Sequence, residues 1–251
     1  MVQKKIIIND SLVNYYQSDE LDVSNTIVFL HGWGVEATIF QDIYTNIDSW
    51  VAIDWPGFGG SQIPPVAWRV LDYANFLHDF LQKLKIDNPL LIGHSFGGRV
   101  IIKYCAQNLG VVKKVILIDS AGVKDDGQRV KWLEILAWGG RWLKKIPGIK
   151  KVVKSVGRQF QSSDYRQAGA NRATMRKVIG EDLQVDMKKI KVPATIIWGE
   201  DDQETPLADG LTIHRLIVGS KFYSIKQAGH FPFVDQRESF MQILAEEIPR
   251  W

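Results

Sequence analysis

The chain has 251 residues, of which 45% are hydrophobic and 24% charged, with a formal net charge of +3. These balances exclude disordered and fibrous classes and leave enough apolar side chain for a large core in a single α/β-sized domain. The one cysteine, Cys105, excludes an internal disulfide and, within the apolar stretch 100–106, reads as a buried inert thiol.

In chain order, Ile6-Ile7-Ile8 and Leu12 to Tyr16 flank the turn formers Asn9-Asp10-Ser11, which predicts an opening β-hairpin. The three isoleucines are too short a run for a signal peptide. No uncharged apolar run approaches the roughly 20 residues that cross a bilayer, so a soluble protein of the cytoplasm is expected. Thr26 to Leu30 and Trp50 to Asp54 are brief β-branched or aromatic runs that end in Gly- or Pro-containing loops, as buried parallel strands do. Between Trp68 and Leu84, the positions Val70, Leu71, Ala74, Leu77, Phe80, Leu81 and Leu84 recur at helical spacing. Pro89 to Ile92 predicts a strand, and Phe96 to Asn108 a helix with Gly110 as its stop. Further strands are expected at Lys114 to Asp119, Ala194 to Trp198 and Lys221 to Ile225. Strands alternating with helices imply an α/β protein with a parallel sheet flanked by helices.

From about Val123 to Lys191 the alternation gives way to helical patterns alone, one carrying Trp132, Ile135, Leu136, Trp142 and Leu143, the next Ile149, Val152, Val153, Val156 and Phe160. Residues 124–191 hold 17 Lys and Arg against 7 Asp and Glu. That charge asymmetry marks an inserted segment with its own surface, a helical cap.

The chemistry concentrates in short motifs. A hydroxyl attacks an acyl carbon only when a base takes its proton and a third group orients the base, and the site must also stabilise the resulting oxyanion. Gly93-His94-Ser95-Phe96-Gly97 lies between a predicted strand and a predicted helix, the setting of a nucleophile elbow that raises the serine oxygen into a pocket. His31-Gly32-Trp33-Gly34 follows another strand end, and its glycines free the backbone to turn amides inward. The N–H groups of Trp33 and Phe96 are the candidate oxyanion hole, where one lost donor typically costs roughly 2.7–4 kcal/mol.

With these motifs the chain resembles, over nearly its whole length, the α/β-hydrolase family in its serine-nucleophile branch. The resemblance implies a mostly parallel eight-stranded sheet flanked by helices, with residues 1–122 and 192–251 as the core and 123–191 as the helical cap. Asp54-Trp55-Pro56-Gly57-Phe58-Gly59-Gly60-Ser61 is similar to a family segment that shapes the pocket floor. The family order of nucleophile, acid and histidine selects Asp202 in Gly199-Glu200-Asp201-Asp202. Glu200, Asp201 and, at the end of an earlier strand, Asp119 remain alternatives for the acid. His230, in Ala228-Gly229-His230-Phe231, stands where the family places its general base, and an ordinary imidazole pKa of about 6.5 suits proton transfer at neutral pH. His78 and His214 fall on helical patterns and read as structural, while His31 and His94 support their loops.

The expected activity is hydrolysis of carboxylic esters or related acyl bonds of a small molecule through Ser95, His230 and Asp202. Two relatives in function remain open: carbon-carbon bond hydrolysis, and pyruvate elimination of the menaquinone-synthase type, to which Arg99 in Gly97-Gly98-Arg99 is similar. The basic cap suits acidic substrates, with Arg141, Arg158, Arg166, Arg172 or Arg176 as candidate clamps for a carboxylate. A reading of another class makes the chain a non-catalytic binding protein, or one whose basic cap, with Trp132, Trp138 and Trp142, docks weakly on an anionic membrane. No nucleic-acid partner, metal or other cofactor is implied, since there is no paired-Cys or His-x-x-x-His spacing, no Walker loop and no Gly-x-Gly-x-x-Gly after the first strand.

Overall fold

A computed structural model describes residues 1–44, 47–124 and 165–248, with 165–170 described by their helix alone. The hairpin expected at the start is present as β1 (Val2–Ile8) and β2 (Ser11–Gln17). Its two-residue turn puts Asn9 at φ 47° and Asp10 at φ 61°, the left-handed pair that favours Asn and Asp and matches the twist of the flanking strands.

Six more strands follow, β3 (Ile27–Leu30), β4 (Trp50–Ile53), β5 (Leu90–His94), β6 (Lys114–Ile118), β7 (Ala194–Gly199) and β8 (Lys221–Ile225). They form one eight-stranded sheet in the order β1-β2-β4-β3-β5-β6-β7-β8. Only β2 runs against its neighbours; every later pairing is parallel, as in Leu30 beside Gly93 and Gly93 beside Leu117.

The helices are α1 (Gln41–Tyr44), α2 (Val70–Leu84), α3 (Phe96–Ala106), α4 (Tyr165–Ile179), α5 (Gln184–Met187), α6 (Leu207–Leu216), α7 (Pro232–Asp235) and α8 (Arg237–Glu247). They cover both faces, which is why the strands read as continuous apolar runs instead of alternating ones. Val28, Leu30, Val51, Ile53, Leu91 and Leu117 face a core shared with α2, α3 and α6. Ile27, Phe29, Trp50, Ala52, Ile92 and Ile116 face the core under α1, α7 and α8. Each fully buried side chain of this kind stabilises the fold by roughly 1.5–3 kcal/mol.

Two local expectations change. On α2, Leu71 is exposed, and Tyr73 and Phe76 join the buried face instead, because the helix turns its aromatic stripe toward Trp55 and Phe96. The helix α3 ends earlier than Gly110: Asn108 takes the left-handed position at φ 51°. Gly110 is small for another reason, since a Cβ there would lie 2.3 Å from the Tyr104 hydroxyl.

One buried ion cluster fastens the last helix. The Glu247 carboxylate, with its side chain wholly inaccessible, accepts Thr195 Oγ1 at 2.7 Å, Tyr223 OH at 2.6 Å, Lys221 Nζ at 2.9 Å and Lys114 Nζ. It thereby ties α8 to the N-terminal ends of β6, β7 and β8.

Residues 125–164, which include Trp132, Trp138, Trp142, Arg141 and Arg158, lie outside the described residues, as does the side chain of Arg166. Among the described residues no helix is long and apolar enough to cross a membrane.

Candidate active site

In an open α/β sheet the strand order reverses at one point, and the loops at the carboxyl ends of the two strands there diverge to leave a crevice. In this sheet that point lies between β3 and β5. The loop His31 to Gly34 leaves β3, and Ser95 leaves β5. Asp119 ends β6, Asp202 follows β7, and His230 follows β8, so all the predicted groups emerge on one edge.

Ser95 sits between β5 and α3 at φ 51° and ψ −108°. A non-glycine residue pays of order 1–3 kcal/mol to hold such a conformation. Its neighbours must therefore be very small: a Cβ on Gly97 would lie 2.0 Å from the Leu30 carbonyl oxygen, and one on Gly93 would lie 2.6 Å from the backbone of Gly97. The bond from Ser95 N to Ile118 O, 2.9 Å, and that from Ala121 N to Ser95 O, 3.1 Å, stitch the elbow to β6 and the loop after it. The amides of Phe96 and its first-turn neighbours have no intrahelical acceptor, as at any helix N-terminus.

The other proposed donor, Trp33, lies in a loop whose shape is set by His31. The N–H of Trp55 donates to His31 Nε2 at 3.0 Å, which leaves the ring proton on Nδ1, and Nδ1 in turn donates to Gly32 O at 2.7 Å. Burial holds this imidazole below its ordinary pKa, the charge of Asp54 opposing. A Cβ on Gly32 would lie 3.3 Å from Ser95 Cβ, so the loop closes directly on the elbow. The indole of Trp33 packs edge-on against Phe58 and Phe96, at centroid separations of 4.8 and 5.3 Å.

Beneath this loop the Asp54 carboxylate accepts Ala37 N at 2.8 Å, Asn14 Nδ2 at 2.8 Å and Gly60 N at 2.9 Å. The Asp54 to Ser61 segment is accordingly a knot that braces the floor.

The acid and histidine loops are brought together by Gly199, where a Cβ would stand 2.3 Å from Gly229 O. Bonds from Glu200 N to Ile225 O and from Asp201 N to Ala228 O, 3.0 and 2.9 Å, zip the two loops. Asp202 then reaches His230: Nδ1 donates to Oδ2 at 2.8 Å, and Thr205 Oγ1 donates to the same oxygen at 2.6 Å. Burial raises the Asp202 carboxyl, but the His230 bond and charge and the Thr205 bonds outweigh it and hold it below the ordinary value. Burial lowers the His230 imidazole, but the Asp202 bond and charge and the Glu204 charge outweigh that, so it titrates above the ordinary histidine value.

The three other acids do not reach the imidazole Nδ1. Asp201 is exposed, and Glu200 accepts Ser224 Oγ at 2.8 Å on the surface. Asp119 is buried behind Asp202, with Oδ1 accepting Gly199 N at 2.9 Å and Oδ2 without a partner. Burial and the adjoining Asp202 push its carboxyl well up.

His94 braces the site from the other side. Its Nε2–H donates to His230 O at 2.6 Å, fixing the histidine loop to the residue beside Ser95. Burial, the nearby His230 and His31 keep it uncharged. Burial also pushes the Cys105 thiol up to about 12, which makes it inert. His78 and His214 lie away from this edge, on α2 and α6.

Arg99 is buried on α3 and donates through Nη1 to Val178 O at 2.7 Å and Glu181 O at 2.6 Å. Together with the ion pairs of Lys103 to Glu181 and Asp186, it fastens the end of α4 to the helix that carries Ser95. Arg172 and Arg176 are exposed on α4. Among the described residues no group of three metal-ligating side chains occurs.

Three features escaped the sequence: the His94 bond, the Thr205 bridge, and a carboxylate oxygen of Glu204 at 3.3 Å from His230 Nε2. The first and third join residues far apart in the chain and leave no local signal. The second had one, since Asp-x-x-Thr is a spacing at which a side-chain oxygen caps backbone N–H groups.

Comparison with known proteins agrees with this architecture. A model of the alpha/beta hydrolase family matches residues 27–243. An uncharacterized hydrolase, YugF, of Bacillus subtilis is 25% identical over 264 residues, covering 95% of each chain. A 2-hydroxy-6-oxo-2,4-heptadienoate hydrolase of Pseudomonas putida is 22% identical over 255 residues, covering 90% of this chain and 89% of its own. The solved enol-lactonase of Burkholderia xenovorans LB400 superposes with a TM-score of 0.80 at 18% identity, over 98% of this chain and 100% of that one.

Proposed function

The chain belongs to the alpha/beta hydrolase family, and we propose that within it this protein is a serine hydrolase that cleaves carboxylic esters of a small molecule. Ser95 Oγ attacks the acyl carbon while His230 Nε2 takes its proton. Asp202, on Nδ1, orients the ring and stabilises the imidazolium. The N–H groups of Trp33 and Phe96 receive the oxyanion. The imidazolium then protonates the departing alkoxide, and a water, deprotonated by His230, frees the acid from the acyl-enzyme.

The observation that carries this reading is the buried His230–Asp202 pair at 2.8 Å, pinned through His94 to a serine held at φ 51°. Residues 123–191 are read as a cap over the crevice. In support, α4 lies along the loop before α2, with Trp68 N donating to Thr174 Oγ1 at 3.2 Å and Lys177 Nζ to Ala67 O at 2.6 Å.

The test is hydrolysis of short-chain p-nitrophenyl esters by the protein and by Ser95→Ala. Turnover in the native protein, abolished in a variant that still folds, is the expected result; equal turnover in both overturns the reading. A second reading, carbon-carbon bond hydrolysis, is favoured by the likeness to the Pseudomonas putida 2-hydroxy-6-oxo-2,4-heptadienoate hydrolase. A 2-hydroxy-6-oxo-dienoate offered beside the esters separates the two.

A further inference from the structure

Asp202 does more than hold Nδ1 of the catalytic imidazole. Its Oδ1 accepts Glu204 N at 2.7 Å and Thr205 N at 3.0 Å, a turn that folds the loop back over its own acid. The turn swings the Glu204 side chain, 31% exposed, across His230, so that Oε2 stands 3.3 Å from Nε2. His230 is thus flanked by a carboxylate on each ring nitrogen, one at the back and one on the edge that must exchange protons.

A neutral imidazole with its proton on Nδ1 presents a lone pair at Nε2, and a carboxylate facing that lone pair is repelled. For an ionised Glu204 the contact is favourable only when Nε2 carries a proton. That is the form His230 takes after it deprotonates Ser95, and the form that must give a proton to the leaving group. The other groups facing the ring are accounted for. His94, 4.7 Å away between centroids, is uncharged and donates to the His230 carbonyl. Asp119 lies behind Asp202, and Asp235 is occupied by Gly229 N at 2.8 Å. Among the described residues no lysine or arginine pairs with Asp202 or Glu204.

The geometry points to Glu204 as a positioning residue that acts through His230, stabilising the imidazolium during proton transfer and making the ring a stronger base. This rests on the serine-hydrolase reading above. The raised titration of His230, in which the Glu204 charge is one cause, accords with it. Glu204 itself is shifted up by burial and by Asp202, and down by His230. Its help therefore fades on the acid side, where it takes up a proton.

The experiment is Glu204→Gln, read in two ways. In the pH profile of kcat/KM for a p-nitrophenyl ester, the acid limb should move to lower pH by about half a unit or more, with the plateau reduced severalfold, since an opposite charge within about 4–6 Å favours the charged form. In the Ser95→Ala background, where no turnover is needed, the His230 ring titration followed by NMR should fall by the same amount. Glu204→Lys should move both readouts further in the same direction, and its position at the partly exposed rim makes it a tolerable change. An acid limb and a ring titration that stay put in both variants overturn the inference. If Ser95→Ala retains ester turnover, the hydrolase reading fails on its own, while the NMR titration still reports whether Glu204 acts on His230.

Discussion

At the N-terminal ends of β6, β7 and β8 the buried Glu247 carboxylate meets two lysines, a tyrosine and a threonine. At the C-terminal ends of the same strands Asp119, Asp202 and Glu204 gather with no lysine or arginine paired to them among the described residues; backbone amides, Thr205 and His230 take their place. The directions of the pKa shifts carry the same contrast. Burial pushes Glu247 up, but its four partners hold it far below the ordinary glutamate value. Burial and the Asp202 charge push Asp119 well above its own. One end of the sheet compensates its buried charge in full, as a fastening requires. The other compensates Asp202 through His230 and Thr205 but leaves Asp119 and Glu204 raised, a perturbation that nominates the crevice as a candidate reactive site.

The contrast predicts different answers to charge removal, and the largest effect falls on activity. Asp202→Asn should lower the ester-hydrolysis kcat by roughly 10⁴, the scale set by losing the acid of such a triad. Because its oxygens accept His230, Thr205 and two backbone N–H groups that hold it below the ordinary value, the urea midpoint at neutral pH should fall as well. A variant that loses stability without losing rate would break the comparison.

Next in size, Glu247→Ala strips the acceptor from the buried Thr195 hydroxyl, from Tyr223 and from two lysines of which Lys221 is 64% exposed, and losing such a partner costs roughly 1–3 kcal/mol. Urea unfolding should show that loss while kcat/KM in the surviving folded protein stays at the native value.

Asp119→Asn is smaller. Burial and Asp202 already push this carboxyl well up, and its Oδ1 acceptor has an amide counterpart, so the rate should change less than about tenfold, within about 1.4 kcal/mol. Steady-state kinetics beside Asp202→Asn sharpen the distinction between the acid that touches His230 and the one that backs it.

The smallest effect is in the acid dependence of stability. Glu247, depressed in the fold, contributes stability that is fully present above the ordinary glutamate value and is lost as pH falls toward its folded value. Asp119, raised in the fold, has the opposite sign: its penalty exists above the ordinary aspartate value and vanishes below it. Glu247→Gln should therefore flatten the fall of the urea midpoint below about pH 5, whereas Asp119→Asn should raise the midpoint at neutral pH and leave the acid side alone.

What was legible in the sequence was what the backbone states locally. The hairpin turn was readable because Asn9 and Asp10 tolerate the left-handed conformation, and the parallel strands because both faces are buried. The elbow was readable because Ser95 can be strained only where Gly93 and Gly97 make room. On α3 the same local reasoning chose Gly110 as the stop, and packing against Tyr104 explained that glycine instead.

Asp202 stood first by its spacing in the family order, with Glu200, Asp201 and Asp119 as alternatives, and tertiary structure brings one of the four to the His230 ring. Gly199 lets the loop after β7 press against Gly229, and only Asp202 then faces His230 Nδ1, with Asp119 turned to the Gly199 amide behind it. The same approach carried Glu204 to Nε2, and His94 to the His230 carbonyl across 136 residues of chain. Strain and burial periodicity are properties of a few consecutive residues and are written in their order. The pairing of a charge with the group that relieves it depends on which loops meet, and that is decided by how the strands stack side by side.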